Sequence, residues 1–586
     1  MLDAIKLWRF FSLRRRRQFW IVLILMLAVS ISEIIGIGAV IPFLGALTIP
    51  EKIFNNPIFL PLINILELSE PSQIVLPITI LFLTAIIVSA ILRLLLLYAI
   101  TRLSYAAGAD LSVDIYKRTL YQDYETHLSR NSSEIINGIV YKTNAVISGV
   151  LNPTLTLISQ SIILLSIVII LCLINFTVAL SVSIGFGILY WIIIGYTKAQ
   201  LKRNSVAVAD KSTQMIKSLQ EGLGGIRDVI IGNCQKFYCR LYRDADIPLR
   251  RALGDNVFIS GSPRYLMEAI GMIIIVFIAY LLTQNEGGMI GALPTLGAIA
   301  LGGQKLLPAS QQVYSTYSTI KGTKKSLDDV VMLLEQPLPK NINTISPLSV
   351  AFNNGIKLEN LSFRYTPDSA WVLKNINLSI AKGSRIGIMG ETGGGKSTLI
   401  DIIMGLIRPS NGKLLIDDEL INFENSRAWQ SHIAHVPQNI YLSDTSISEN
   451  IAFGVPRDEV NIKQVEEAAK KAKLDDLIGS WKDGYEAIIG ERGVKLSGGQ
   501  RQRIGIARAL YKQADLLVFD EATNALDSNT EREVMSAINN LNKDLTILII
   551  AHRLTTLKQC DLIISIGSGG ELNVGSYKEM VGAEYK

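Results

Sequence analysis

The pattern of hydrophobic positions divides the chain into two halves. Residues up to about 310 carry long apolar runs, whereas residues beyond about 340 alternate short apolar runs with polar turns. An α-helix needs about 20 apolar residues to cross the hydrocarbon core of a bilayer. Six segments are long and apolar enough: 19–44, 74–100, 150–173, 176–196, 265–282 and 289–307. The pattern therefore predicts six membrane spans followed by a soluble domain.

The distribution of Lys and Arg predicts how these spans are oriented. The polar segment between the fourth and fifth spans is rich in both residues, whereas the gap between the first and second spans has one cation, Lys52. The positive-inside rule then places the N-terminus, both long polar segments and the C-terminal half in the cytoplasm. The first apolar run is too long for a signal peptide, so we expect it to be retained as a span.

Composition excludes several other classes of protein. The net charge of +6 is small for 586 residues and gives no reason to expect a nucleic-acid partner. The four cysteines form no CxxC pair and no metal-ligand spacing, which favours reduced thiols.

Three segments outside the spans have two interpretations each. The turns 121–130 and 222–232 are either contacts with the C-terminal half or plain solvated helical hairpins. Segment 58–66 is too short to span and too apolar for a free loop, which favours an interfacial helix or a helix packed on the spans.

Charged residues within or beside the spans are candidate functional groups because they are costly in a bilayer. They are Glu33, Arg93, Arg264, Glu268 and Lys305. Arg264 and Glu268 are four residues apart and can pair along one helix, and Arg93 and Lys305 are near enough to span ends to snorkel. The functional hypothesis is a substrate cavity in which Arg93, Arg264 and Lys305 hold an anionic phosphate headgroup.

The boundary between the halves is a linker with several prolines. We assign residues 1–335 to the membrane domain, 336–355 to the linker and 356–586 to the soluble domain. Strands are predicted at 356–363 and 376–380, and Tyr365 follows the first, where its ring can stack on a nucleotide base.

A glycine-rich phosphate loop is the clearest chemical motif. It consists of Gly390, Glu391, Thr392, Gly393, Gly394, Gly395, Lys396 and Ser397, with Thr398 next. Glycines let successive backbone N–H groups point at phosphate oxygens. Lys396 neutralises the β- and γ-phosphates, and Ser397 offers a hydroxyl to Mg²⁺. The predicted strand at 385–389 and the apolar helix at 399–406 are the context that this motif requires.

Downstream residues complete a hydrolytic site. Asp520 ends a buried apolar strand and is expected to hold Mg²⁺ through water. Glu521 is the candidate general base for the attacking water. Gln438, which follows a short strand, is a candidate ligand of Mg²⁺ and water, and His552 is a candidate contact of the γ-phosphate.

The pentapeptide 496–500 opens a helix predicted at 501–511. Its N–H groups can form an anion site at the positive end of that helix. Ser497 is also a good N-cap residue, so a plain helix cap is the alternative.

Together these motifs resemble the ATP-binding cassette superfamily over the whole chain. The resemblance implies an α-helical six-span transmembrane domain of the exporter type followed by an α/β P-loop NTPase nucleotide-binding domain.

The resemblance also implies roles for single residues. Tyr365 resembles the adenine-stacking aromatic, Gln438 the Q-loop glutamine and His552 the switch histidine. Ser497, Gly498, Gly499 and Gln500 resemble the signature that binds the γ-phosphate held by the opposite chain, and Asp527 resembles the D-loop aspartate. Residues 490–493 resemble the X-loop of exporters.

The resemblance also implies partners and cofactors. One cassette per chain implies a half-transporter that needs a second subunit, ATP and Mg²⁺. No catalytic position departs from the family pattern, so we expect a homodimer.

Within the exporters, the membrane half is most similar to bacterial flippases of lipid-linked oligosaccharides, through residues 33–43, Arg93, 262–265 and 305–308. Lys305 stands where that group is expected to have an arginine, which keeps the charge but not the bidentate fork.

The expected function is ATP-driven export or flipping, across the bacterial plasma membrane, of a lipid-linked oligosaccharide or other glycolipid with a phosphate head. The alternative is an exporter of peptides or hydrophobic drugs. A soluble cassette ATPase is disfavoured by the six spans, and an ATP-gated channel by the presence of Glu521.

Overall fold

A computed structural model of the chain describes residues 6–174, 176–283, 288–339, 350–391, 393–422, 424–522, 526–539, 544–551, 556–567 and 569–584. The chain forms two compact units. The first comprises Met1–Gln122 and Ser129–Leu338, and the second comprises Asp123–Leu128 and Pro339–Lys586. A short segment from the N-terminal half of the sequence therefore belongs to the C-terminal unit.

The first unit is helical throughout its described part. Its helices are α1 (Leu13–Gly38), α2 (Val40–Thr48), α3 (Pro50–Phe54), α4 (Leu60–Ile65), α5 (Val75–Leu120), α6 (Tyr124–Ser129, which groups with the second unit), α7 (Ser132–Ile136), α8 (Thr143–Val146), α9 (Asn152–Ile174), α10 (Phe176–Gly224), α11 (Ile226–Ile231), α12 (Gln235–Gly261), α13 (Pro263–Thr283), α14 (Gly288–Gly322) and α15 (Lys324–Leu334). Two π-helical segments, Asn137–Lys142 and Ile147–Leu151, lie between α7 and α9.

Four stretches within the described residues are long and apolar enough to cross a membrane: Leu13–Thr48, Pro71–Leu120, Ser132–Leu173 and Ser183–Gly224. They overlap the first four predicted spans. The fifth and sixth predicted spans, 265–282 and 289–307, fall within α13 and α14. Most side chains of 274–302 lie outside the described part of the chain.

The long helices extend well beyond a bilayer. Helix α5 has 46 residues and α10 has 49, which corresponds to about 70 Å each at 1.5 Å per residue. The hydrocarbon core is about 30 Å thick. Helix α9 packs on α14, α10 on α12 and α1 on α5. Buried apolar side chains such as Met26, Val29 and Ile167 fill the space between them.

Segment 58–66, which contains the short helix α4, has features of both predicted alternatives, a helix packed on the spans and an interfacial helix. Ile63 is buried in a cluster with Ala46, Ile74 and Ile78. Ile58 and Ile65, by contrast, are almost fully exposed. The segment therefore packs on the neighbouring helices through one face and presents apolar side chains outward on the other.

The second unit contains two sheets. Its strands are β1 (Gly355–Phe363), β2 (Leu373–Ala381), β3 (Arg385–Gly390), β4 (Asn411–Ile416), β5 (Glu419–Leu420), β6 (Ile433–Val436), β7 (Leu516–Asp520), β8 (Thr546–Ile550), β9 (Leu562–Ile566) and β10 (Leu572–Gly575). A four-stranded antiparallel sheet has the order β2-β1-β4-β5. A six-stranded sheet has the order β10-β9-β3-β8-β7-β6, in which β10 alone is antiparallel to its neighbour.

The helices of the second unit are α16 (Lys396–Ile403), α17 (Ser426–Ser431), α18 (Ile447–Ile451), α19 (Ile462–Lys471), α20 (Asp475–Ser480), α21 (Gly498–Tyr511), α22 (Ser528–Asn539) and α23 (Tyr577–Glu584). Both helices predicted here, 399–406 and 501–511, begin three residues earlier than predicted. The polar residues Lys396 and Gln500 belong to the first turns, where free backbone N–H groups favour polar neighbours.

The six-stranded sheet is buried on both faces because its strands are almost continuously apolar. Leu517 and Phe519 of β7 pack into one core, whereas Leu516 and Val518 pack into the other. Strands β3, β8 and β7 run parallel, with Ile388 opposite Ile550 and Ile550 opposite Asp520. The carboxyl ends of these strands therefore share one edge, which brings together motifs more than a hundred residues apart.

Candidate functional site

The phosphate loop connects β3 to α16 at that edge. Gly390 ends the strand with φ +145°, and Gly395 caps the helix with φ +94°. A Cβ atom at Gly390 would lie 2.6 Å from the carbonyl oxygen of Ile566 on the neighbouring strand. The loop can therefore pass this close to β9 only with glycine at that position. Thr392 lies outside the described residues.

Lys396 lies across the mouth of the loop. Its side chain is buried, and its Nζ donates to the carbonyl oxygens of Gly390 and Glu391, each 2.8 Å away. An ammonium group has three donors, so these two bonds leave one N–H for a phosphate oxygen. Ser397 is exposed at the start of α16, where its hydroxyl can reach a metal ion.

Tyr365 lies beside the loop. Its hydroxyl is 3.0 Å from Oγ1 of Thr398, and its ring packs edge-on against Phe363. The side chain is 59% exposed, so one face of the ring is available to a nucleotide base.

Asp520 ends β7 at the same edge, and Glu521 follows it. Burial raises the pKa of Asp520, the neighbouring Glu521 carboxylate raises it further, and Lys396 opposes both effects. The influence of Lys396 on Asp520 indicates that the two sequence motifs lie close together. Glu521 has φ +50°, a left-handed conformation that is uncommon outside glycine. Its backbone N–H donates to the carbonyl oxygen of Ile550, 3.1 Å away, which fixes Glu521 to β8.

Gln438 contacts the candidate general base directly. Its Nε2 donates to Oε2 of Glu521 over 2.7 Å. The structure thus brings together Gln438 and Glu521, which are 83 positions apart in the sequence. His552 lies outside the described residues.

Asp401 is a site residue that no motif predicted. It lies on α16, one turn beyond Lys396. Burial, followed by repulsion from Asp520, raises the pKa of Asp401 to about 6. The available signal was an acidic side chain within the apolar part of this helix, residues 399–403.

The signature segment forms a complete helix cap. Oγ of Ser497 accepts from the backbone N–H of Gln500 at 3.3 Å, and Oε1 of Gln500 accepts from the N–H of Ser497 at 2.8 Å. Among the described residues, no hydrogen bond or ion pair joins segment 497–500 to segment 390–398 of the same chain. Asp527 likewise caps α22, accepting from the side chain and N–H of Thr530.

One of the two predicted turns groups with the nucleotide-binding unit. Arg408 donates from its backbone N–H to Oε1 of Glu125 at 3.1 Å, and its guanidinium is 3.2 Å from Asp123. Burial, together with the Asp401 carboxylate, raises the pKa of Tyr124. Helix α6 therefore lies close to α16. Helix α11, from the other turn, belongs to the helical unit and exposes Ile230 and Ile231.

A second cluster of charges lies in the helical unit. Lys305 Nζ is 2.6 Å from Oε2 of Glu33, and Arg93 is ion-paired to Oε1 of the same carboxylate. The pairing of Glu33 with both cations was not predicted. Arg264 is elsewhere, paired at 2.7 Å with Glu268 along its own helix, which was the alternative interpretation. The structure therefore brings Arg93 and Lys305 together and does not bring Arg264 to them.

Comparisons with known proteins agree with this anatomy. The family model described as ABC transporter matches residues 373–524, and the model described as ABC transporter transmembrane region matches residues 20–287. Together they match more than two thirds of the chain.

Several curated relatives share one description. The ATP-dependent lipid A-core flippase of Burkholderia pseudomallei is 27% identical over 480 residues, covering 80% of this chain and 78% of its own. The protein of the same description from Chromohalobacter salexigens is 28% identical over 463 residues, covering 77% of each chain. That from Alkalilimnicola ehrlichii is 29% identical over 404 residues, covering 68% and 67%.

A solved structure shows the fold. The structure of a bacterial Atm1-family ABC exporter with ATP bound superposes with a TM-score of 0.75 at 23% identity, covering 97% of this chain and 96% of that one. The predicted fold class, helical membrane domain first and nucleotide-binding domain second, is confirmed.

Proposed function

The chain belongs to the ABC transporter family as an exporter-type half-transporter, and from that premise we propose that it flips a glycolipid with an anionic phosphate head. It is a multi-pass protein of the bacterial inner membrane, with its nucleotide-binding domain in the cytoplasm, and it couples ATP hydrolysis to transport. The single observation that carries the proposed cargo is the cation pair Arg93 and Lys305 within apolar helices. The flippase descriptions of the relatives support the same class of cargo.

The proposed cavity lies beside that pair. Arg93 and Lys305 line a cavity of about 580 Å³ between α1, α5, α9 and α14. A phosphate group placed there would receive charge-assisted hydrogen bonds, and an attached lipid tail would remain among the exposed apolar side chains of the helices. Arg264 is not among the described lining residues, so the proposal rests on Arg93 and Lys305.

In the nucleotide site we propose that Lys396 and the loop N–H groups hold the phosphates of ATP. The residues near them suit Mg²⁺: Asp520, Ser397 and Gln438 offer oxygen ligands of the kind that this ion prefers. Mg²⁺ would neutralise charge on the phosphates when bound. No group of three or more His, Cys, Asp or Glu side chains in the described residues could hold a metal alone, so phosphate oxygens would complete its coordination.

Glu521 is proposed as the general base. Its carboxylate would accept a proton from the water that attacks the γ-phosphate, and ADP would leave as the β–γ bond breaks. The hydrogen bond from Gln438 holds Oε2 of this carboxylate in place. Ordinary general-base catalysis contributes about 10²–10⁴-fold to a rate.

We further propose a homodimer in which Ser497 and Gly498–Gln500 of one chain bind the γ-phosphate held by its partner. The N-terminus of α21 provides backbone N–H groups and a positive helix dipole for an anion. Within one chain, the described residues of this segment make no bond to the phosphate loop. A second copy supplies an identical signature, so both composite sites would hydrolyse ATP.

The proposal is tested by flipping in liposomes that contain the purified protein. Lipid-linked sugars with a phosphate head should move between leaflets in the presence of MgATP, and the Glu521→Gln variant serves as the inactive control. Peptides and hydrophobic drugs are assayed in parallel. Transport of these, without movement of any phosphorylated glycolipid, would establish the alternative and overturn the proposed cargo.

A further inference from the structure

Glu33 holds two cations from different helices behind the cavity. It lies on α1 and is fully buried, whereas Arg93 comes from α5 and Lys305 from α14. Ser89 adds a hydrogen bond from its hydroxyl to Oε1 of Glu33 at 3.1 Å. A carboxylate taken out of water is tolerated only when it is paired and hydrogen-bonded in this way. Glu33 is therefore ionised, and it contributes one negative charge.

The cations lie between Glu33 and the cavity. The Arg93 side chain is 50% exposed and that of Lys305 is 31% exposed, whereas Glu33 is 0% exposed. Both cations line the cavity, and Glu33 is not among its described lining residues. A ligand in the cavity would contact the two cations directly. The Glu33 carboxylate would act on that ligand only through its electric field.

The rest of the cavity wall suits a carbohydrate. Its polar residues from α9 and α14 are Asn152, Thr156, Ser159, Gln160, Gln304 and Gln312. Asn152, Thr156 and Gln160 recur every four residues and so lie along one face of α9. Amide and hydroxyl side chains both donate and accept hydrogen bonds, as sugar hydroxyls do.

The three charges sum to +1, two cations against one carboxylate. A net charge left without a partner in surroundings of low dielectric constant is costly. A phosphodiester carries one negative charge and would neutralise the cluster, whereas a pyrophosphate diester carries two and would leave one uncompensated.

We propose that Glu33 sets the charge of this site, so that it selects a lipid joined to its sugar through a single phosphodiester over one joined through a pyrophosphate. The proposal rests on the flippase function and specifies its substrate class. Glu33 acts through the two cations, as a residue that determines specificity without touching the cargo.

The test compares two polyprenyl lipids that carry the same sugar, one through a phosphodiester and one through a pyrophosphate. The full-length protein is reconstituted in liposomes, and the lipid concentration that gives half-maximal stimulation of ATPase activity is measured for each. The parent should respond to the phosphodiester lipid at the lower concentration.

Glu33→Gln keeps the size of the side chain and raises the charge of the cluster to +2. This variant should shift the ratio of the two half-maximal concentrations about tenfold toward the pyrophosphate lipid, which corresponds to about 1.4 kcal/mol. The double variant Glu33→Gln/Arg93→Gln restores a charge of +1 and should restore the parent's preference. A merely structural role for Glu33 would change both half-maximal concentrations equally.

The reciprocal variant Lys305→Gln makes the cluster neutral and should weaken the response to the pyrophosphate lipid more than that to the phosphodiester lipid. Lys305→Gln also changes the charge of the cluster, so it still tests the proposal if the Glu33→Gln protein does not assemble. An unchanged ratio in the assembled variants would overturn the role of Glu33 while leaving the flippase function intact. If neither lipid stimulates the parent or is flipped by it, the proposed function itself would be overturned.

Discussion

The amide of Gln438 donates to the carboxylate of Glu521 over 2.7 Å, joining the segment after β6 to the end of β7. Strands β6 and β7 are parallel neighbours, with Val436 opposite Phe519. Their carboxyl ends therefore project both side chains from the same edge. The contact orients the proposed general base.

Removing this amide should impair turnover more than binding. In Gln438→Ala, the Glu521 carboxylate loses its orienting donor, so we expect kcat for ATP hydrolysis to fall about tenfold, with a smaller change in KM. Steady-state ATPase kinetics measure both values. Gln464→Ala, at a glutamine on α19 remote from this edge, is the matched control. A purely increased KM in Gln438→Ala would contradict the orienting role.

Replacing the carboxylate itself should stop hydrolysis. Glu521→Gln cannot accept the proton from water, so the ATPase rate should fall by about 10²-fold or more. ATP should still bind, because the phosphate loop is unaltered, and this can be measured by equilibrium binding of labelled nucleotide. Glu571→Gln, at an exposed carboxylate on the unit's surface, should keep the parent rate. Hydrolysis by Glu521→Gln at the parent rate would assign the base to another residue.

Two of the three phosphate-loop glycines with positive φ, Gly390 and Gly393, should differ in their tolerance of a side chain. A Cβ at Gly390 would meet the carbonyl oxygen of Ile566 at 2.6 Å, whereas a Cβ at Gly393 has nothing within 4 Å. Gly393→Ala should cost about 1 kcal/mol for its left-handed backbone. Gly390→Ala should cost about 2–4 kcal/mol, since β3 and β9 must also separate. Thermal unfolding without nucleotide measures both, and equal melting temperatures would contradict the close approach.

Asp401 should make stability depend on pH. Burial and Asp520 raise the pKa of Asp401 from 3.8 to about 6, so the folded state binds the proton more tightly than the unfolded state. Its contribution to stability is therefore greatest below pH 3.8 and is lost as the pH rises through 6.

Asp401→Asn has no carboxyl group to ionise, so it does not lose the stability that the parent loses as the pH rises through 6. We expect the variant to be more stable than the parent at pH 7 by about 1–2 kcal/mol, allowing for partial solvent screening, and by much less at pH 4. Unfolding of the full-length protein in detergent at both pH values provides the measurement, with Asp458→Asn, at an exposed carboxylate, as the control. A variant less stable than the parent at pH 7 would show that the Asp401 charge is favourably paired.

The sequence alone determined the features that are read along the chain. The first four predicted spans overlap the membrane-length helices of the described residues because a run of apolar side chains of bilayer length has few other stable solutions. The loop around Lys396 was also predictable. A glycine-rich turn that leads from a buried strand through Lys and Ser into a helix binds nucleotide phosphates. The same holds for the cap at Ser497, whose partner Gln500 is three residues away.

Only the tertiary structure decided which distant groups meet. Glu33 and Lys305 are 272 positions apart, and Gln438 and Glu521 are 83 apart; no local periodicity relates either pair. Arg93 and Arg264 were both candidate ligands of the headgroup in the sequence, yet Arg264 pairs with Glu268 on its own helix while Arg93 shares Glu33 with Lys305. Helix packing and strand order set these contacts, because they fix which faces of remote elements come within hydrogen-bonding distance.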